Sequence, residues 1–184
     1  MNTVQLPKTI QNTLGEKLIF KSIEMEGGEE KLLVENVVQP GAGPAMHVHF
    51  KQDETLTVVK GKMGVQVMGE EPRYLEVGQT ATFLRGVPHR FWNAGEDALE
   101  CTGWIKPANS IVFFLSALYD AQNKSGSEQP EVFDGSYLIT RYKSEYDVFT
   151  IPAFVKKVIM PITVFFGKLL GKYKHFEGAP APLK

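Results

Sequence analysis

Three histidines and a glutamate fall at spacings that suit a metal ion. Gly41 is followed after five residues by His47, after one more by His49, after four by Glu54 and after six by Gly61. A second block runs from Gly78 through Gly86 to His89 and Asn93, so three of the chain's four histidines are drawn into one candidate site. His47 and His49 stand two apart, which on a strand points both imidazoles to the same face. Glu54 follows on the same ribbon after a short irregular stretch, and His89 has to arrive from a separate strand. Three imidazoles and a carboxylate bind a first-row divalent metal and leave about one to three coordination positions open to water, substrate or dioxygen. Affinity along that row follows the metal more than the site, so Fe, Mn, Co, Ni, Cu and Zn all fit.

The elements that must position these groups read as strands first and helices afterwards. Short apolar or β-branched runs at Leu18–Met25, Leu32–Val38, His47–Phe50, Thr55–Val59, Met63–Met68, Thr80–Phe83, Arg90–Trp92 and Leu99–Trp104 are punctuated by Gly27–Gly28, Gly41–Pro44, Lys60–Gly61, Gly69–Pro72, Val77–Gly78 and Ala94–Gly95. That rhythm predicts a barrel or sandwich. After Pro107 the period changes: Ile111, Phe114, Leu115 and Leu118 form a helical stripe over Asn109–Gln122, which Asn109 or Ser110 can cap. Residues 123–130 read as a polar loop, and Ser136–Tyr146 as a second helix with Leu138, Ile139 and Tyr142 inward. From Ala153 to Lys174 a third stripe (Val155, Val158, Ile159, Ile162, Phe165, Phe166, Leu169, Tyr173) runs at helical spacing, with a kink expected at Pro161.

The two blocks resemble the paired motifs of the cupin superfamily. In that family the first motif is glycine, five residues, His-x-His, three or four residues, glutamate, six residues and glycine. The second is glycine, five residues, proline, one residue, glycine, two residues, histidine, three residues and asparagine. The chain departs only at Leu84, where the family carries a proline that would stiffen a turn and hold no ligand. The resemblance covers about the first 105 residues. It implies a mostly β fold, a double-stranded β-helix or jelly-roll cupin barrel over residues 1–107, followed by a helical C-terminal extension over 108–184. It also implies that His47, His49, Glu54 and His89 bind a divalent transition metal, with iron or manganese preferred because small cupins of this kind often use them. Similarity to flavonol-cleaving cupins gives Glu54 a second role, a general base once it swings off the metal.

On the side of His89 lie Phe91 and Asn93, and Met63, Val65, Val67 and Phe83 are candidates for the remaining pocket lining. An apolar pocket of this kind suits a small aromatic or aliphatic molecule that offers the metal an oxygen. The reading that follows is a metal-dependent oxidoreductase resembling a dioxygenase. A non-enzymatic ligand-binding or sensing module and a metal-dependent isomerase or lyase stand as alternatives, since cupins do all three.

Composition narrows the partners. At 184 residues, 43% hydrophobic and 22% charged, the chain suits one globular domain with an appendage. A net charge of -1 and the lack of a basic stripe interleaved with aromatics argue against nucleic acid. The single cysteine, Cys101, can form no intrachain disulfide, and Met1–Pro7 shows neither a basic nor an apolar leader pattern, so a cytoplasmic setting is expected. Cys101 reads as a small buried hydrophobe and His175 as a surface residue at a helix end. If His47 and His49 face inward, Met46, Val48 and Phe50 face outward and need a cover, from the C-terminal helices or from the mate in a homodimer. Residues 148–176 carry five lysines and no acid, so an anionic membrane surface is the second reading for the third stripe, behind packing on protein.

Overall fold

Alternating burial builds two facing sheets. The computed structural model describes residues 5–183, so the leader reading at Met1–Val4 lies outside the described residues. Ten strands precede the helices: β1 (Lys8–Gln11), β2 (Glu16–Glu26), β3 (Glu29–Val38), β4 (His47–His49), β5 (Asp53–Lys60), β6 (Met63–Val67), β7 (Arg73–Leu75), β8 (Thr80–Phe83), β9 (His89–Asn93) and β10 (Leu99–Lys106). After them come α1 (Ile111–Ser125), α2 (Val132–Arg141), β11 (Tyr146–Val148) and α3 (Met160–Leu169). One sheet has the order β1-β2-β3-β10-β5-β8 and the other β11-β4-β9-β6-β7, the double-stranded β-helix expected of a cupin barrel with helices after it.

The interior divides in two. Between the sheets Val38, Leu56, Val58, Met63, Val65, Phe83 and Leu99 form a solid core at one end. At the other end the larger sheet outruns the smaller one, and α1, α2 and β11 cover it. There Leu18, Phe20, Leu32, Val34 and Ile105 pack against Ile111, Phe114, Leu138, Tyr142 and Tyr146. Each large side chain buried in this way contributes about 1.5–3 kcal/mol, which ties the helices to the barrel. Glu145, wholly buried, adds a polar tie: its carboxylate accepts from Ser110 Oγ at 2.9 Å, Gln52 Nε2 at 3.3 Å and the Leu183 amide at 3.0 Å.

Three expectations change. The second helix occupies Val132–Arg141, not Ser136–Tyr146, because the Glu131 carboxylate caps the Phe133 and Asp134 amides and starts it earlier. Tyr146–Val148 then leaves the helix to pair with β4, Tyr146 opposite His49 and Val148 opposite His47. Ser110 precedes α1, but its hydroxyl caps nothing, being taken by Glu145 and Tyr146. Ahead of Pro161 the helix widens: Val155–Ile159 is a π-helix, with the Met160 amide bonded to the Val155 carbonyl five residues back.

The third stripe does not pack on the barrel along its length. α3 lies against α2, burying Gly167 where a Cβ would run into the Tyr173 ring. Val158, Ile159, Ile162, Phe165, Phe166 and Leu169 remain exposed, because α2 covers only one side of the helix. Of the residues read as needing a cover on β4, Val48 is buried and Phe50 is exposed. Among the described residues no helix is long and apolar enough to cross a membrane.

Candidate metal centre

β4 and β9 meet at a single pair, His47 opposite His89, and β4 carries His49 on the same face. β5 brings Glu54 across from the other sheet, in register with Phe83 on β8 and Ile105 on β10. The turn before β9 is closed by Gly86, whose φ of +81° suits glycine and whose amide donates to the His49 carbonyl at 2.7 Å. Leu84, at the variant proline position, has an exposed side chain, and its carbonyl accepts from the Val87 amide at 3.1 Å within that turn. The result is that one ligating atom from each of His47, His49, Glu54 and His89 lies within 4.8 Å of all the others.

The second nitrogens decide what the cluster can hold. His47 Nδ1 lies 2.8 Å from the Ala45 carbonyl and His89 Nδ1 2.8 Å from the Val87 carbonyl. A carbonyl only accepts, so both Nδ1 atoms carry the proton, and a neutral ring then keeps its Nε2 lone pair free for the centre. His89 Nε2 faces Glu54 Oε2 at 3.2 Å and His49 Nε2 faces the same oxygen at 3.8 Å. Lone pairs and a carboxylate converging in a buried space repel one another unless a cation sits among them. His49 Nδ1 is buried without a partner among the described residues, the orphaned atom of a ring whose other nitrogen faces the carboxylate. The residues therefore fit a metal.

Electrostatics holds the set in its ligating form. Burial, joined by the neighbouring His49 and His89, pushes His47 down to about 3, and burial does the same to His49, down to about 4. Burial by itself would raise the Glu54 carboxyl, but His89 and the other two imidazoles outweigh it and hold the group down at about 2. Near neutrality His47 and His49 are therefore neutral ligands and Glu54 is an anion. Phe83 stacks flat on His89, 4.0 Å between centroids and 5° between planes, and Tyr146 meets His49 edge-on at 5.5 Å.

The set opens into a cavity of about 560 Å³. His47, His49 and Glu54 stand in its wall with Leu18, Val34 and Phe91 from the barrel. The opposite wall is Ile111, Phe114, Leu115 and Leu118 of α1, with Ile139 and Tyr146. Polar groups interrupt the apolar lining away from the histidines, Asn36 and the Glu16–Tyr119 pair among them: Tyr119 donates to Glu16 Oε2 at 3.2 Å and Asn12 Nδ2 donates to Glu16 Oε1 at 3.1 Å. Burial raises the Glu16 carboxyl.

Of the pocket residues read from sequence, Phe91 lines this cavity. Met63, Val65 and Phe83 lie in the solid core instead, and Val67 is a partly buried residue paired with His89. Asn93 is buried, and its Nδ2 donates to the Val38 and Asp97 carbonyls, a turn-holding role. The alternation along a strand gives the inward face but not which half of the interior it meets. Sequence reasoning missed Glu16, Tyr119 and Tyr146 as site neighbours. The α1 stripe was a signal for the wall, since Tyr119 follows Leu118 directly. Cys101 is buried with its thiol pushed up to about 12 by burial, and His175 is exposed and lies 2.9 Å from Asp134 Oδ1, with no role in the site.

Residues 34–105 match the family described as Cupin domain. No curated protein matches the chain in sequence. Among solved structures it is similar to a conserved protein with a double-stranded β-helix domain from Klebsiella pneumoniae, at 25% identity, covering 48% of this chain and 76% of that one with a TM-score of 0.41. It is also similar to KdgF from Halomonas sp., at 19% identity over 57% of this chain and 92% of that one, TM-score 0.49. An RmlC-like cupin from Shewanella frigidimarina gives 19% identity over 58% and 89%, TM-score 0.47.

Proposed function

Residues 34–105 are a cupin domain, and from that premise we propose that the chain is a metal-dependent oxidoreductase of the dioxygenase type, acting on a small and largely apolar organic molecule. His47, His49, Glu54 and His89 hold the divalent ion. The observation that carries the reading is the pairing of this set with a largely apolar cavity of about 560 Å³, a volume suited to a small ligand. A redox-capable ion bound there supplies Lewis acidity and a common meeting point for an oxidant and an oxygen-bearing substrate.

The chain's own residues do the rest. Phe91, Phe114, Leu115 and Leu118 grip the apolar body and keep bulk water from the reacting centre. Glu54, ionised near neutrality, can take a proton from an enol or phenol oxygen brought beside it. The Glu16–Tyr119 pair gives the far end of the ligand a polar contact, which favours a molecule with oxygens at both ends.

The test is metal analysis of the purified protein, then oxygen uptake over a panel of enolic and phenolic compounds, with Glu54→Gln beside the wild type. Turnover should require oxygen and should fall further in the variant than metal content does. Turnover at the same rate without oxygen would exclude the oxygenase, and tight binding of panel compounds with no turnover would make the protein a ligand-binding cupin.

A further inference from the structure

The outer face of α3 and of the π-turn before it is apolar and bare. Phe154, Ile162, Phe165, Phe166, Leu169 and Leu170 are all exposed, Phe165 at 58% and Leu169 at 69%. The inner face buries Gly167 against Tyr173, so the helix is apolar on both sides, as buried or lipid-facing helices are. Six large apolar side chains bared on one short helical segment mark an interaction surface rather than the scattered exposure normal for a protein.

Charge identifies the partner. From residue 148 to 176 there are five lysines and no acid. Lys156 is taken by Asp147 at 2.7 Å. Lys157, Lys168, Lys172 and Lys174 are exposed and form no ion pair among the described residues. A second copy docked on the same patch would set two such cationic rims against each other with no acid to answer them. A bilayer surface rich in anionic lipid answers each lysine with a headgroup and the apolar face with acyl chain. Each lysine near such a surface multiplies the binding constant by a factor of about five.

We propose that α3 docks flat on an anionic membrane surface, its phenylalanines and leucines set among the upper acyl chains and its lysines at headgroup level. Val155 and Met160 of the same segment line the cavity, so docking brings the wall of the candidate site next to lipid.

The experiment is vesicle flotation with the full chain, using phosphatidylcholine vesicles with and without one third phosphatidylglycerol. The protein should float with the anionic vesicles and bind neutral ones at least tenfold more weakly. Raising salt from about 0.1 M to about 1 M, which shortens the screening length from about 10 Å to about 3 Å, should release it. Phe165→Glu with Leu169→Glu, both on the exposed face, should cost at least tenfold in binding without a change in melting temperature. Phe166→Trp supplies an independent reading, since its emission should move to the blue on adding anionic vesicles. No flotation with an unmoved tryptophan emission, or equal binding to neutral and anionic vesicles, overturns the proposal. So does a dimer in light scattering that the double glutamate variant dissociates while the wild type ignores vesicles, which would make a second copy the occupant.

Discussion

Acid should destabilise the metal-free protein through two imidazoles. Burial pushes His47 down to about 3 and His49 to about 4, against about 6.5 in an unfolded chain. Between the folded and unfolded values the unfolded chain holds more protons. Stability therefore rises with pH across that window and is lost as pH falls from about 6.5 toward about 3 to 4. Moving from about pH 7 to about pH 5 protonates nearly all of an unfolded imidazole and almost none of a folded one at these values, a loss of about 2 kcal/mol for each fully buried ring. His49, 5% exposed, gives the full amount, while His47, only half-buried, gives less. The sum is about 2–4 kcal/mol, a large share of the about 5–15 kcal/mol that holds a domain together. Glu54, held at about 2, changes little above pH 5 and leaves this window to the histidines. Urea unfolding in the presence of a chelator at the two pH values measures the loss directly. The double variant His47→Gln/His49→Gln should lose most of that pH dependence. Equal wild-type stability at both pH values would refute the reasoning, as would a double variant that falls as far as the wild type.

Replacing His49 with Ala should lower bound metal by about an order of magnitude or more. It should also remove the stabilisation that metal confers on the folded state, about 2.7 kcal/mol at a free concentration one hundred times the dissociation constant; unchanged metal content and melting would break the assignment. Phe114→Ala removes a side chain that is 4% exposed and stacked on Tyr146 at 4.3 Å. Urea unfolding should show a cost of about 3–5 kcal/mol, and a loss under about 1 kcal/mol would mean that α1 does not wall the cavity.

The clustering of His47, His49, Glu54 and His89 was legible because its constraints are local. His47 and His49 share a face by strand alternation, and Gly86 turns the chain ahead of His89, so spacing carries the geometry. The strands around Leu18, Leu32, Thr80 and Leu99 were legible for the same reason, through alternating burial. β11 was not. Three residues have no period to read, and Tyr146–Val148 is a strand only because β4 offers it an edge. The lining by Met63, Val65 and Phe83 was misplaced because an inward residue of a long barrel can meet either the solid core or the cavity. Which one it meets depends on where the smaller sheet stops and the helices take over.

That division assigns different tasks to different parts of the chain. The two motif blocks supply the candidate metal ligands, but they leave the site open on the side that the helices cover. Closure comes from α1 and β11: Phe114 stacks on Tyr146, and Tyr146 in turn meets His49. A change in the helical segment therefore reaches the candidate metal centre through two ring contacts, without touching any ligand. The shape and polarity of what can bind depend on residues 111–148 as much as on the barrel. Among barrels with the same four ligands, it is this wall that should distinguish one ligand from another, and substitutions at Leu115, Leu118 and Tyr119 should alter ligand preference while metal content stays constant.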